Sequence, residues 1–253
     1  MRFLHPLFVL LLVLLPACSS TNRMLKAQPA ALSPFFEQPW LAQDARAQLG
    51  FQKIWITPDP RVLAAGKAKR KLFIAPVTLH FLRPLSRGLA SSEVAWGGVE
   101  RREADVAARL REEFVAAFRS SPAPLYQLAN RPGRDTLTLQ LAITELNPTS
   151  PKGNAVVTVL KIVATPMMGF AAYLTKGNMA IEGKVLDSSS GRAFFQFADN
   201  ESDQLTLINL RDYQPYGHAM NTMRHWARQF EQVTRSPRGL KVKDSSSITL
   251  RPN

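Results

Sequence analysis

Apart from His5, the histidines of the sequence are His80, His218 and His225. The last two stand seven residues apart, two turns along one face of a helix. Joint metal ligation from that spacing needs a third element, and no HExxH pair is present. Nucleophilic catalysis needs a Ser or Thr set against a His and an orienting acid. The sequence has no GxSxG elbow, and Ser188-Ser189-Ser190 read as a solvated turn. Glycosidic cleavage needs two carboxylates across a cleft. The acids available, Glu145, Glu182, Asp187, Asp199 and Glu201, are spread through strand and turn patterns. Glu182, next to an inward-facing Ile181, is expected to point to solvent. Gly97-Gly98 lacks the Lys of a phosphate loop, and GxGxxG is absent. These residues point to no enzyme, no metal and no cofactor.

The chemistry that does stand out is at Cys18, the one cysteine of the chain. A single thiol forms no internal disulfide and supplies no thiolate metal site. It follows MRFLHPLFVLLLVLLPA, with a basic residue at Arg2 and an apolar run from Leu7 to Leu15. That run falls short of the about 20 residues needed to span a bilayer and suits a signal peptide. Leu15-Pro16-Ala17-Cys18 resembles the bacterial lipobox, in which the cysteine thiol is diacylglycerylated before cleavage; Pro16 is unusual at its position. The resemblance implies a lipoprotein whose mature chain begins at Cys18. Ser19, being other than Asp, implies by similarity to Gram-negative sorting an outer-membrane anchor facing the periplasm.

The formal net charge is +13 and the sequence pI about 10.4. Such a balance suits nucleic acid or an anionic surface. An export signal, and the lack of any nucleic-acid-binding motif, argue against nucleic acid. Basic clusters lie at 67–71, at Arg101-Arg102 and from Arg235 to Lys243. They read as a solvated face, or as adhesion to anionic headgroups beside the anchor.

Elements to position these residues follow from periodicity. Val106, Leu110, Phe114 and Phe118 recur every four residues and predict a helix over 100–118. Leu137, Leu139, Leu141 and Ile143 alternate with Thr136, Thr138, Gln140 and Thr144, predicting a half-buried strand over 135–146. Residues 178–186 and 192–199 form a hairpin about the turn 187–191. Met220, Met223, Ala227 and Phe230 share a face of a last helix over 216–233. Shorter strands are expected at 52–56 and within 71–82, where Pro76 demands an edge or a bulge. Residues 34–50 suit a short helix on the domain. The predicted fold is α+β: a small, mainly antiparallel sheet with two helices packed on one face, in the order β-α-β-β-hairpin-α. The organisation expected is a signal peptide (1–17), a lipidated N-terminus and tether (18–50), one domain (51–235) and a flexible basic tail (236–253).

Between the strand and the hairpin, residues 154–174 are almost continuously apolar, broken by Lys161. Three readings are open: a buried element completing the core, a loop dipping into a membrane or docking on a partner, or a spanning helix. Lys161, Thr165-Pro166 and Gly169 weigh against spanning. Val156, Val157, Val159, Leu160, Ile162, Met167, Met168, Phe170 and Leu174 are the candidate membrane or partner contacts.

A set of short segments in order carries a family resemblance: Lys53-Ile54-Trp55-Ile56 before Pro58, Phe73-Ile74-Ala75-Pro76-Val77, and Glu145-Leu146-Asn147-Pro148-Thr149. After the apolar connection come Ile181-Glu182-Gly183-Lys184, Ser190-Gly191, Phe197-Ala198-Asp199 and Trp226-Ala227. Together, over 55–233, they resemble the bacterial lipoproteins of domain-of-unknown-function family 3313. The resemblance implies a cell-envelope lipoprotein and no particular activity. The function expected is a non-catalytic binding or scaffolding module with an envelope protein or lipid as partner. The alternatives are a lipid-handling auxiliary of an envelope transport system, or an envelope hydrolase.

Overall fold

The computed structural model describes residues 27, 29–83, 99–147, 178–202, 205–206, 217–236, 241–242, 244 and 248–249. In chain order the strands are β1 (Gln43–Asp44), β2 (Lys53–Ile56), β3 (Lys71–Ile74), β4 (Gln127–Leu128), β5 (Thr136–Asn147), β6 (Asn178–Asp187), β7 (Ala193–Ser202), β8 (Leu205–Thr206) and β9 (Ile248–Thr249). The α-helices are α1 (Arg46–Leu49), α2 (Pro60–Ala68), α3 (Val99–Ser120) and α4 (Gly217–Arg235). No described helix is long and apolar enough to cross a membrane.

The α+β class is as expected, but the sheet is larger and mixed. Seven strands run in the order β1-β2-β7-β6-β5-β3-β4. The β5–β6–β7 centre is antiparallel, whereas β3 runs parallel to both β5 and β4. The physical reason is the crossover: α3 lies between β3 and β4 in sequence, and a helical crossover returns the chain in its original direction. Within 71–82, β3 stops at Ile74, two residues before Pro76, and contact with β5 resumes as a single bridge from Thr78 to Ala142. Pro76 has no N–H to give the ladder, as the sequence anticipates.

The two faces of the sheet differ in what covers them. Leu137, Leu139, Leu141 and Ile143 of β5 are fully buried, in one core with Leu110, Phe114 and Phe118 of α3 and Met223, Trp226, Ala227 and Phe230 of α4. Each such side chain contributes about 1.5–3 kcal/mol by leaving water. An aromatic column runs through this layer. Phe197 stacks at 4.4 Å on Phe51 and 5.2 Å on Phe230, and Phe230 meets Phe114 at 5.8 Å. Gly183 makes room for it, because a Cβ there would lie 2.1 Å from the Phe197 ring. The β6–β7 turn closes on Gly191, whose φ of 69° favours a residue without a Cβ.

The opposite face is closed by the N-terminal segment. Ala27, Ser33, Phe35 and Phe36 are buried, and Phe36 packs with Trp55 and Ala198. Two adjacent phenylalanines supply the apolar area that draws the chain onto the sheet. The basic tail is likewise held in part. Val242 is buried, its N–H donates to the Gln48 carbonyl, and Asp244 pairs with Arg46 at 3.4 Å.

Candidate functional site

The period-2 register of β6 puts Glu182 and Lys184 on the face away from the long helices, where they meet the N-terminal strap. Glu182 is buried rather than solvated as its sequence position suggested. Its carboxylate accepts from the Ser33 N–H at 2.6 Å and the Ser33 hydroxyl at 2.7 Å. Burial pushes this carboxyl above its ordinary range, opposed by the two Ser33 hydrogen bonds and by Arg83 and Lys184. Lys184 pairs with Glu37 at 2.7 Å and sits 4.7 Å above the Phe35 ring. The Glu37 N–H donates to Gln196 at 3.0 Å. Arg83 bonds Glu145 and the Ala31 carbonyl, clasping the strap from the side. Only about 10 Å³ of space is left where the strap meets Glu182 and Ala198, room for at most one water. Two donors on this face, Trp55 Nε1 and Gln196 Nε2, are buried without a hydrogen-bond partner among the described residues.

A second polar cluster lies under the helices. Asp199 accepts from Trp226 Nε1 at 2.7 Å, from the Gln52 N–H at 3.2 Å and from Arg46 at 3.2 Å. Arg46 also reaches Glu201 at 3.6 Å. Burial, helped by the Glu201 charge, pushes the Asp199 carboxyl up to about 8, against Arg46 and Trp226. One guanidinium thus joins β7, α1 and the C-terminal segment.

The acids do not converge on a cleft. Glu182 and Asp199 lie on opposite faces of neighbouring strands, and Asp187 is in the β6–β7 turn, paired with Lys69 at 2.9 Å. Glu145 and Glu201 stand near the other end of the sheet. His80 is exposed with its ring edge-on to Phe81, and His225 is exposed on α4. Among the described residues no group of three His, Cys, Asp or Glu could hold a metal. Ser188 bonds Thr138 and Ser190 bonds Asp187, the hydrogen bonding of a turn. Cys18 and Val156, Val157, Val159, Leu160, Ile162, Met167, Met168, Phe170 and Leu174 lie outside the described residues. Their points of departure are described. Asn147 and Asn178 pair directly, next to Ser202, at one end of the sheet. Ala27 lies at that same end, its carbonyl accepting from Gln52 Nε2, which also donates to the Asn200 carbonyl.

An open groove of about 460 Å³ lies between α3 and α4. Val106, Met220 and Met223 give it apolar surface, and the exposed Asp105, Arg109 and Glu112 border it. Sequence reasoning missed Ser33, Glu37, Arg46 and Trp226 as polar partners. The available signal was the charge at Glu182 and Lys184 inside an otherwise buried hairpin, which demands covering partners.

The family model described as "Protein of unknown function (DUF3313)" matches residues 33–230. Comparison with curated proteins gives no match. Among solved structures, the chain is similar to the PelC dodecamer from Paraburkholderia phytofirmans, at 8% identity and TM-score 0.37, covering 70% of this chain and 96% of that one. It is also similar to the hypothetical protein CT253 from Chlamydia trachomatis, at 11% identity and TM-score 0.33, covering 66% and 95%. A third is protein XCC0632 from Xanthomonas campestris, at 13% identity and TM-score 0.33, covering 71% and 90%.

Proposed function

The chain belongs to the DUF3313 family, and for this member we propose a non-catalytic binding or scaffolding module of the cell envelope, lipid-anchored through Cys18 to the outer membrane and facing the periplasm. The observation that carries the reading is the buried strap. Eight residues separate Cys18 from Ala27, a reach of at most about 30 Å, so an acylated Cys18 holds the domain close to the bilayer. The connection containing Val156–Leu174 leaves from the same sheet end as the strap. An apolar segment there is well placed to meet the membrane or a protein lying on it.

In-cell crosslinking of a tagged chain tests the reading. One dominant envelope-protein partner, lost when 156–174 is replaced by a polar linker, is expected; unchanged capture after the replacement refutes it. Cys18→Ala is expected to move the protein from membranes to the soluble periplasm. The groove between α3 and α4 favours a second reading, a lipid-handling auxiliary, since its volume falls in the range of small-ligand clefts. Lipid co-purifying with the Cys18→Ala chain, and lost with Met220→Glu at a half-buried position of the groove wall, would favour that reading.

A further inference from the structure

The sheet end opposite the strap exit is strongly basic. β6 runs ten residues from Asn178 to Asp187, so the two ends lie about 30 Å apart. Three connections meet at the far end: the junction of α2 with β3, the loop before β5, and the β6–β7 turn. Lys69 ties them together, pairing with Asp187 at 2.9 Å and donating to the Arg134 carbonyl. The Arg70 N–H adds a bond to Asp135 at 3.2 Å. This frame presents Lys67, Arg70, Lys71, Arg131 and Arg134 to solvent, none with a carboxylate partner on its side chain among the described residues. Arg192 is also exposed but pairs with Asp59 at 2.9 Å. Asp187 and Asp59 are thus neutralised; Asp135, exposed and bonded through its carboxylate to a backbone N–H, offsets one charge, and the end keeps a positive excess.

We propose that this end docks an anionic polymer bearing repeated carboxylates, such as an acidic glycan strand. Three of the five are arginines, whose planar forks take carboxylates in pairs of hydrogen bonds; Arg70 also donates to the Lys67 and Lys69 carbonyls. The five are spread over separate loops, which suits an extended chain carrying many charges. A membrane-docking surface combines basic side chains with interfacial aromatics. Of the large exposed apolar residues described, Trp40 is the one aromatic; Leu125, two residues before the Gln127 whose N–H donates to the Arg70 carbonyl, and Ile56 are aliphatic. The end also points away from the bilayer to which Cys18 would tether the chain. Binding itself does not depend on that tether, so the proposal and the anchoring fail separately.

The test uses the purified Cys18→Ala chain with polygalacturonate, phosphatidylglycerol vesicles and neutral dextran as probes. Polygalacturonate is expected to bind, with affinity falling as salt rises. The triple variant Lys67→Gln, Arg70→Gln, Arg134→Gln is expected to lose about a hundredfold. Arg131→Gln, a single change in an exposed loop, is expected to lose about fivefold. The control triple Arg109→Gln, Arg119→Gln, Arg228→Gln, on the helices, is expected to bind as the parent does. Equal losses in the two triples, or no binding to the polymer at low salt, overturn the proposal. Tighter binding to vesicles than to polymer through the same residues overturns it in favour of a lipid surface.

Discussion

Ser33→Ala isolates the bond that holds the strap to the sheet. The Ser33 hydroxyl donates to a buried carboxylate at 2.7 Å, and a hydrogen bond to a charged group contributes about 1.5–3 kcal/mol. Taking about 2 kcal/mol, local opening of the strap becomes about thirtyfold more frequent. Amide exchange at Glu37, whose N–H bonds Gln196, should accelerate by that factor while amides in β5 stay protected. The effect should also depend on pH. Burial already places the Glu182 carboxyl above its ordinary value. A folded-state value raised in this way stabilises fully below the unfolded value and is lost as pH rises through the folded one. Removing a donor from the ionised form raises it further, so the deficit should be small near pH 4 and larger near pH 7.5. A deficit that is equal at both pH values, or exchange at Glu37 unchanged from the parent, refutes the reasoning. The consequence reaches the anchor. A strap freed as far as Glu37 lengthens the tether from a reach of about 30 Å to about 65 Å.

Gly183→Ala drives a methyl into the Phe197 ring, which is wedged between Phe51 and Phe230. It should cost about 1–3 kcal/mol and lower Tm by about 2–4 °C per kcal/mol. A second change, Phe197→Leu, should return part of the loss; a Tm at or above the parent's would disprove the crowding. Leu139→Asp puts an unpaired charge at a fully buried position of β5 and should abolish cooperative melting; near-normal melting contradicts the register. For Asp199, whose carboxyl is raised to about 8, the folded chain holds a proton that the unfolded chain has released. Stability should therefore fall as pH climbs from about 4 to about 8, by at most about 1.4 kcal/mol per pH unit. Asp199→Asn should flatten that slope, and an unchanged slope in chemical denaturation would show that Asp199 is ionised throughout.

What the sequence made legible was whatever one element decides by itself. The stripe from Val106 to Phe118 and the alternation from Leu137 to Ile143 each name a single buried face, and both elements lie within two residues of their expected ends. The hairpin about Asp187–Gly191 was as clear, because its turn residues are local. What escaped were decisions between distant segments. Periodicity gives a strand two faces and says nothing of what covers the second. Glu182, beside inward-facing Ile181, thus read as solvated until residues 149 positions away in sequence covered it. Strand order escaped for the same reason, since β3 is too short for its own pattern to reveal a parallel partner.

The pattern of polar burial then constrains how the domain works. A carboxylate sealed beneath its own chain is costly unless donors meet it, and here, besides the Gln52 N–H next to β2, the donors to Glu182 and Asp199 come from elements that the sheet must recruit: Ser33 from the strap, Arg46 from α1, Trp226 from α4. Such groups specify position more than they add stability. The strap cannot slide along the sheet without stranding Glu182, because both the Ser33 N–H and the Ser33 hydroxyl are bonded to it. Register at Ser33 is therefore register at Ala27, and through the eight residues before it the distance at which Cys18 holds the domain. An insertion of two Gly-Ser pairs between residues 20 and 26 lengthens that distance and leaves Glu182 capped. If close apposition matters, the insertion should weaken crosslinking to the partner without changing Tm. If crosslinking is untouched, the fixed register serves the fold alone.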